Sequence, residues 1–363
     1  MTPWRAPEGA RHELSMMVGA HSEQGRTNAG EKAISLLFFV LFLSLFLCET
    51  TALAEVTAEG RATLFYTDDV ALFSATRRLS VHGDPTQPAL DTSLTGKGSD
   101  MVFEPDLIVS KLIASSWGKT TLSVKAQGFI FAVNPRFNQA SVGLQALHSF
   151  TPDTAIRLRY YTAPDQLLGD NEERRSGTHS LQEERVTSHV GSIRFEQRLS
   201  ENWELRILGR VGAREYNEAF AQRDTTFWTI GPHLDWRVAE RLKLFLGYHY
   251  ERGLADGRNQ PQFEDDTSYV NHFVSLGLEA QLLDRLEMEL GFHFERNNWT
   301  SAIEGDERHG AHETIVQGEM MFFYRLTDQA RLTCAFQRSQ RRQSFEQESV
   351  FNTNVSVGAS YRF

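Results

Sequence analysis

Residues 355–363 (VSVGASYRF) alternate without a break. Val355, Val357, Ala359, Tyr361 and Phe363 are apolar or aromatic, with Ser356, Gly358, Ser360 and Arg362 between them. Such period-two patterning describes a strand with one greasy and one wet face. The pattern recurs upstream. Trp203, Leu205, Ile207, Gly209, Val211 and Ala213 interleave with Glu204, Arg206, Leu208, Arg210, Gly212 and Arg214. Leu242, Leu244, Leu246, Tyr248 and Tyr250 alternate with Lys243, Phe245, Gly247, His249 and Glu251. Leu286, Met288, Leu290, Phe292 and Phe294 do so with Glu287, Glu289, Gly291, His293 and Glu295. Beyond residue 54 no apolar run approaches the roughly 20 residues that a spanning helix requires. A chain built this way presents alternate side chains to two different solvents.

The alternating segments also repeat. LGYHYER at 246–252 matches LGFHFER at 290–296 with a spacing of 44, and Ala335 in LTCAFQR lies 44 further on. Gly209 in ILGRVGAREY takes the equivalent place upstream. Each repeat opens on a tight polar turn: Ser200-Glu201-Asn202, Glu240-Arg241, Asp284-Arg285, Thr327-Asp328-Gln329. A two-strand unit with short turns at one end and long loops at the other is a meander.

The front of the chain is different. Lys32 precedes an apolar run of 15 residues at 33–47, followed by Ala52-Leu53-Ala54. That is the order of a secretory signal peptide, with cleavage expected after Ala54 and small residues Ala52 and Ala54 at the site. Leu47 before Cys48 disfavours a lipoprotein cleavage site, which needs a small residue there. Residues 1–30 are polar and unpatterned, with Met16 and Met17 as alternative starts. After residue 54 the only cysteine is Cys334, so no intramolecular disulfide is available there. The formal net charge of −10 argues against nucleic acid as a partner.

The terminal alternating strand closing on Phe363, together with the repeats, resembles bacterial outer-membrane β-barrel, porin-like proteins. In those proteins a terminal strand of this kind, here with Tyr361 and Phe363, is read by the barrel-assembly machinery. The resemblance implies an all-β fold, a transmembrane antiparallel up-and-down β-barrel spanning residues 55–363. Fourteen strands are expected, at 56–67, 101–117, 119–132, 138–150, 154–162, 186–199, 203–217, 226–239, 241–252, 268–283, 285–297, 313–326, 329–342 and 349–363, with 12 or 16 as alternatives. An even number places both ends in the periplasm and leaves loops 68–100, 163–185, 253–267 and 298–312 outside. Trp117, Trp203, Trp236, Tyr324 and Tyr361 would form one aromatic girdle, and Tyr216, Trp228, Tyr250, Tyr269 and Phe294 the other.

Charge on the lipid face costs roughly 2–4 kcal/mol near the midplane, so the polar faces point inward. The expected lumen-lining basic residues are Lys125, Arg157, Arg159, Arg194, Arg206, Arg210 and Arg214, with Glu196 and Glu204 among them. The acidic ones are Glu251, Glu279, Glu287, Glu289, Glu295 and Glu319, with Lys243 and Arg325. Opposed walls would set up a field across a wet lumen. Equally, these charges can pair between strands and fill a narrow barrel. Inward small residues (Gly191, Gly212, Gly247, Gly277, Gly291, Gly358) would leave room for water.

Catalysis is not expected. His233 with Asp235, His249 with Glu251, and His293 with Glu295 set imidazole and carboxylate on one face, but no nucleophile accompanies them. No metal site is expected either. His309 and His312 share a loop with Glu304, Asp306 and Glu307, and Glu264, Asp265 and Asp266 form an acidic loop able to bridge to lipopolysaccharide through a cation, but neither has ligand spacing. The expected function is passive diffusion of small hydrophilic solutes, with a structural or export-associated barrel for a surface polymer, protein or lipid as the alternative. Expected partners are outer-membrane lipid and lipopolysaccharide, the assembly machinery and the solutes, with no cofactor. Loop 68–100 is a candidate plug. Cys334 should face outward as a small hydrophobe.

Overall fold

In a computed structural model the chain divides into two units, Met1–Thr51 and Ala52–Phe363. The structure describes residues 55–70, 73, 98–346 and 348–363. The expected signal segment, including Ala52 and Ala54, lies outside the described residues.

Fourteen antiparallel strands close on themselves, each bonded to its neighbours in sequence and β1 to β14. They are β1 (Glu55–Thr67), β2 (Asp100–Ser115), β3 (Gly118–Phe131), β4 (Gln139–Ser149), β5 (Thr154–Glu172), β6 (Leu181–Arg198), β7 (Trp203–Tyr216), β8 (Thr225–Ala239), β9 (Leu242–Ala255), β10 (Tyr269–Leu283), β11 (Leu286–Trp299), β12 (His312–Arg325), β13 (Ala330–Gln343) and β14 (Val350–Arg362). Closure leaves no edge strand, so the backbone groups of the wall find their partners within the sheet. The seam runs through the sequence's most regular alternation, with Leu64 opposite Val357 and Ala62 opposite Ala359. Phe363 N–H then donates to Ala58 O at 2.8 Å.

Period-two chemistry becomes geometry at once. Ile207, Val211, Leu246, Tyr248, Leu290, Phe292, Val355 and Val357 are exposed, while Ser356, Asn354, His293, Glu295 and Asn271 are buried. Exposed apolar residues outside and buried polar residues inside invert the usual globular order. Cys334 is exposed on the outer face. Trp203 and Trp236 stack outside at 5.1 Å near the short turns, and Trp228 meets Tyr250 at 5.3 Å toward the long loops.

The short turns lie between β2 and β3, β4 and β5, and so on at one end. Leu199 N–H bonds to Trp203 O at 2.8 Å, and Leu326 N–H to Ala330 O at 2.9 Å. Gly118 opens β3 at φ +130°, and a Cβ there would sit 2.2 Å from Ser149 O. Only glycine fits that turn.

Three expectations need correcting. Residues 163–185 are not a loop, because β5 runs to Glu172 and β6 begins at Leu181. Two register shifts, between Ala163 and Gln166 and between Leu167 and Gly169, interrupt the alternation that would have marked this hairpin. Tyr216 and Tyr269 are not lipid-facing girdle residues. Tyr216 shares parity with inward Arg214 and packs on Leu168 and Val186, and Tyr269 is buried with its hydroxyl bonded to Glu251. Gly191, finally, shares parity with exposed Ile193 and Phe195, so it faces outward.

Candidate functional site: the charged interior

The interior of the barrel carries nearly all the strand chemistry. Arg157 Nε donates to Glu196 Oε1 at 2.8 Å, and Arg159 Nε donates to Gln145 Oε1 at 2.7 Å. Arg206 bonds Asp235, which also meets Lys243 Nζ at 2.8 Å. Lys125 pairs with Asp106 at 3.0 Å, and Arg61 approaches the same carboxylate at 2.7 Å. These contacts join neighbouring strands, because inward side chains on adjacent strands lie closer together than chains across a lumen.

That register also reassigns one residue. Glu251 was grouped with the acidic arc, yet it sits among the arginines. Tyr269 Oη donates to Glu251 Oε1 at 2.7 Å, Thr229 Oγ1 to Oε2 at 2.5 Å, and Arg210 and Arg214 stand 4.0 and 3.9 Å away. Arg214 Nη1 donates to Tyr269 Oη at 2.8 Å and its guanidinium lies 4.4 Å from the Phe227 ring centre. Glu319 accepts from Gln337 at 2.7 Å and lies 3.1 Å from His293 Nε2. Asn271 bonds Glu295. Nearer the short turns, Glu279 lies 3.6 Å from Lys243 and Glu287 lies 3.6 Å from Arg325. Glu289 shares the inward parity of Glu287 and stands opposite Glu279 in the register.

Arg159 and Arg194 differ from the rest. Arg194 is directly opposite Arg157 in the β5–β6 register and has no hydrogen-bond or ion-pair partner among the described residues. The recorded bond of Arg159 goes to a neutral amide. Two guanidiniums on adjacent strands therefore face the interior without a carboxylate of their own.

Room for water is smaller than the glycines imply. The space above Gly277 is taken by the Phe245 ring, whose Cζ would be 1.7 Å from a Cβ there. Phe227 covers Gly212, His233 covers Gly247 and Glu319 covers Gly291 in the same manner. A cavity of about 90 Å³ remains between Arg61, Phe65, Glu104, Met321, Phe323 and Asn354, and one of about 210 Å³ opens at the short-turn end beside Glu59, Arg325 and Arg362.

At the long-loop end the interior is packed. Phe73, just after β1, is fully buried against inward Phe65 at 5.4 Å, Phe131 at 5.8 Å and Phe129 at 5.9 Å between ring centres. Val70, Val102, Phe137 and Leu167 complete this cluster. In the loops of the same end, Asp265 accepts from Gln222 Nε2 at 2.5 Å, Arg223 Nε at 2.8 Å and Arg308 Nη1 at 3.0 Å, all buried. Arg223 also reaches Glu184 at 2.9 Å. Asp306 accepts from Ser301 Oγ at 2.7 Å and from the Asp266 amide at 2.9 Å. Within the acidic loop Asp265 and Asp266 are buried, whereas Glu264 is exposed. Sequence patterning missed this network, since its members come from three different loops and from strand β6.

The histidines and carboxylates that share a face do not bond to one another. His233 and His249 face each other at 2.7 Å between Nε2 atoms, Asp235 is engaged by Arg206 and Lys243, and His293 turns to Glu319 instead of Glu295.

No protein-family model matches the sequence, and a comparison with curated proteins finds no match. Among solved structures the chain is similar to the outer membrane channel DcaP of Acinetobacter baumannii, with TM-score 0.50, 12% identity, and 85% of this chain and 97% of that chain covered. A bacterial polysaccharide outer membrane secretin gives TM-score 0.47 at 10% identity, covering 84% and 98%. An anion-selective porin from Comamonas acidovorans gives TM-score 0.41 at 9% identity, covering 85% and 100%. The fold is that of a bacterial outer-membrane β-barrel.

Proposed function

We propose that this chain is a porin-like channel of the cell outer membrane, through which small hydrophilic solutes diffuse along the charged inner wall. The observation that carries the reading is the separation of faces in a closed cylinder: apolar residues outside, and a charged interior with Arg159 and Arg194 lacking acidic partners. Those guanidiniums favour anions in transit. The residues expected from the sequence to line the lumen keep that role in this proposal, with Glu251 moved into the basic sector. Short turns then lie in the periplasm and long loops outside.

Further parts of the reading concern biogenesis. Cleavage after Ala54 releases the barrel unit, and Tyr361 and Phe363 present the signal for the assembly machinery. N-terminal sequencing of protein recovered from outer membranes tests the first, and a start other than Glu55 would remove it. No catalytic step is assigned to the interior histidines.

Planar-bilayer recording tests the channel. Stable conductance steps are expected, and Arg194→Glu should shift their selectivity toward cations by roughly a few-fold, as ring charges do in other pores. A second reading, a closed structural or export-associated barrel, is favoured by the packed long-loop end. A silent trace, in both the parent and a deletion of residues 70–98, would remove the channel and leave that second reading.

A further inference from the structure

The strands β9 to β13 also carry cations on their outer faces, near the long loops, where the interior cannot use them. Arg252 has the parity of exposed Leu246 and Tyr248, Arg296 that of Leu290 and Phe292, and Arg342 that of Leu332 and Phe336. His272 and His312 lie between them. The register sets these residues side by side. Val270 stands opposite both Arg252 and Asn298, and His272 stands opposite Arg296. Thr314 stands opposite both Arg296 and Arg342, while His312 is opposite Asn298. The three arginines therefore occupy alternate strands about 10 Å apart, within two adjacent rows of the wall.

Nothing on this face neutralises them. Outward positions of β8 to β13 hold no aspartate or glutamate. Arg252 and Arg342 are exposed and have no ion-pair or hydrogen-bond partner among the described residues, and Arg296 Nε donates to Asn298 Oδ1 of its own strand at 3.2 Å. The outer face of β6 behaves otherwise. There the outward Arg185 of β6 is held by Asp165 at 2.9 Å and Glu183 at 3.0 Å. In the same rows as the cations lies the aromatic pair Trp228 and Tyr250, with Trp228 opposite Arg252 and Tyr250 opposite His272, the kind of collar that sits at headgroup depth. A patch of positive charge without acidic partners, level with that collar, lies where lipid headgroups present their phosphates.

We propose that this face of β9 to β13 docks the phosphates of an anionic glycolipid in the outer leaflet, held between Arg252, Arg296 and Arg342. The proposal rests on the outer-membrane reading above, but not on conductance. It moves the lipid contact from the acidic loop at 264–266, where Asp265 is already held by Arg223 and Arg308, to the wall itself.

Native mass spectrometry of the full protein, purified from outer membranes in detergent, tests it with bisphosphorylated lipid A as probe. Combined Arg252→Gln, Arg296→Gln and Arg342→Gln should weaken binding on the order of a hundredfold, given what each basic residue contributes beside an anionic headgroup. The matching triple lysine variant should keep binding. Both variants should retain the heat-modifiable gel migration of a folded barrel. Unchanged binding by the glutamine variant, equal binding of lipid A stripped of phosphate, or complete displacement by millimolar inorganic phosphate would each overturn the site. Protein that binds the lipid but conducts nothing would remove the channel and leave this site standing.

Discussion

The two ends of the barrel interior use the same residue types to opposite effect. At the long-loop end, Asp265 is enclosed with Arg223 and Arg308, and Phe73 is sealed against Phe65, Phe129 and Phe131. At the short-turn end, Glu287 and Arg325 stand 3.6 Å apart with each side chain half exposed. Arg362 and Glu59 are similarly open at 3.5 Å. Burial decides what each pair is worth: a desolvated ion pair becomes indispensable once formed, whereas an exposed one contributes almost nothing. Among the described residues the interior is therefore packed at the long-loop end and lined by solvated charge at the short-turn end.

The comparison breaks most readily at Asp265. Asp265→Asn leaves two buried guanidiniums short of a charge and should cost about 3–5 kcal/mol. The midpoint of the heat-modifiable gel shift reads this, and an unmoved midpoint would mean that the loop network does not hold the barrel. Phe73→Ala follows closely, with about 3 kcal/mol lost, the lower range for a buried aromatic truncation. The same variant should conduct better than the parent, because the ring blocks the interior; equal conductance would place the constriction elsewhere.

A smaller effect concerns pH. Burial pushes the Asp224 carboxyl up to about 7, against the Tyr216 amide that bonds it and with help from Asp256 and Glu215. Because the folded value lies above the unfolded one, the contribution to stability is complete below about 4 and is lost as pH rises through 7. Hydrogen-exchange protection in residues 217–224, taken relative to the intrinsic rate at each pH, should thus fall between pH 5 and pH 8, and Asp224→Asn should flatten that response. At the short-turn end, Arg325→Gln should change stability by about 0–1 kcal/mol. A larger loss there would erase the contrast between the two ends.

Most of the wall was legible beforehand because its signal is local. Alternation at 203–214 or 286–295 states which residues face lipid without reference to any neighbour, and the fourteen strands follow it closely. The signal failed where bulges broke the period, at Ala163 to Gly169. It also failed at strand ends, where Tyr216 and Tyr269 were assigned by residue type although parity turns them inward.

The interior was legible only as an inventory. The basic residues could be named from the sequence, but their partners depend on which strand lies beside which and in what register. Glu251 joins the arginines of β7 because only β8 separates the two strands and Thr229 stands opposite both Arg210 and Glu251, and the apparent room over Gly277 vanishes under Phe245 of the neighbouring strand.

Sequence alone determined the cylinder and its two faces, since a period of two residues partitions side chains between lipid and lumen wherever a strand forms. Tertiary structure alone decided how the lumen is filled and where it is sealed. Charge pairing and loop packing bring together residues such as Gln222, Asp265 and Arg308, which are dozens of positions apart, and only the closed register sets their distances.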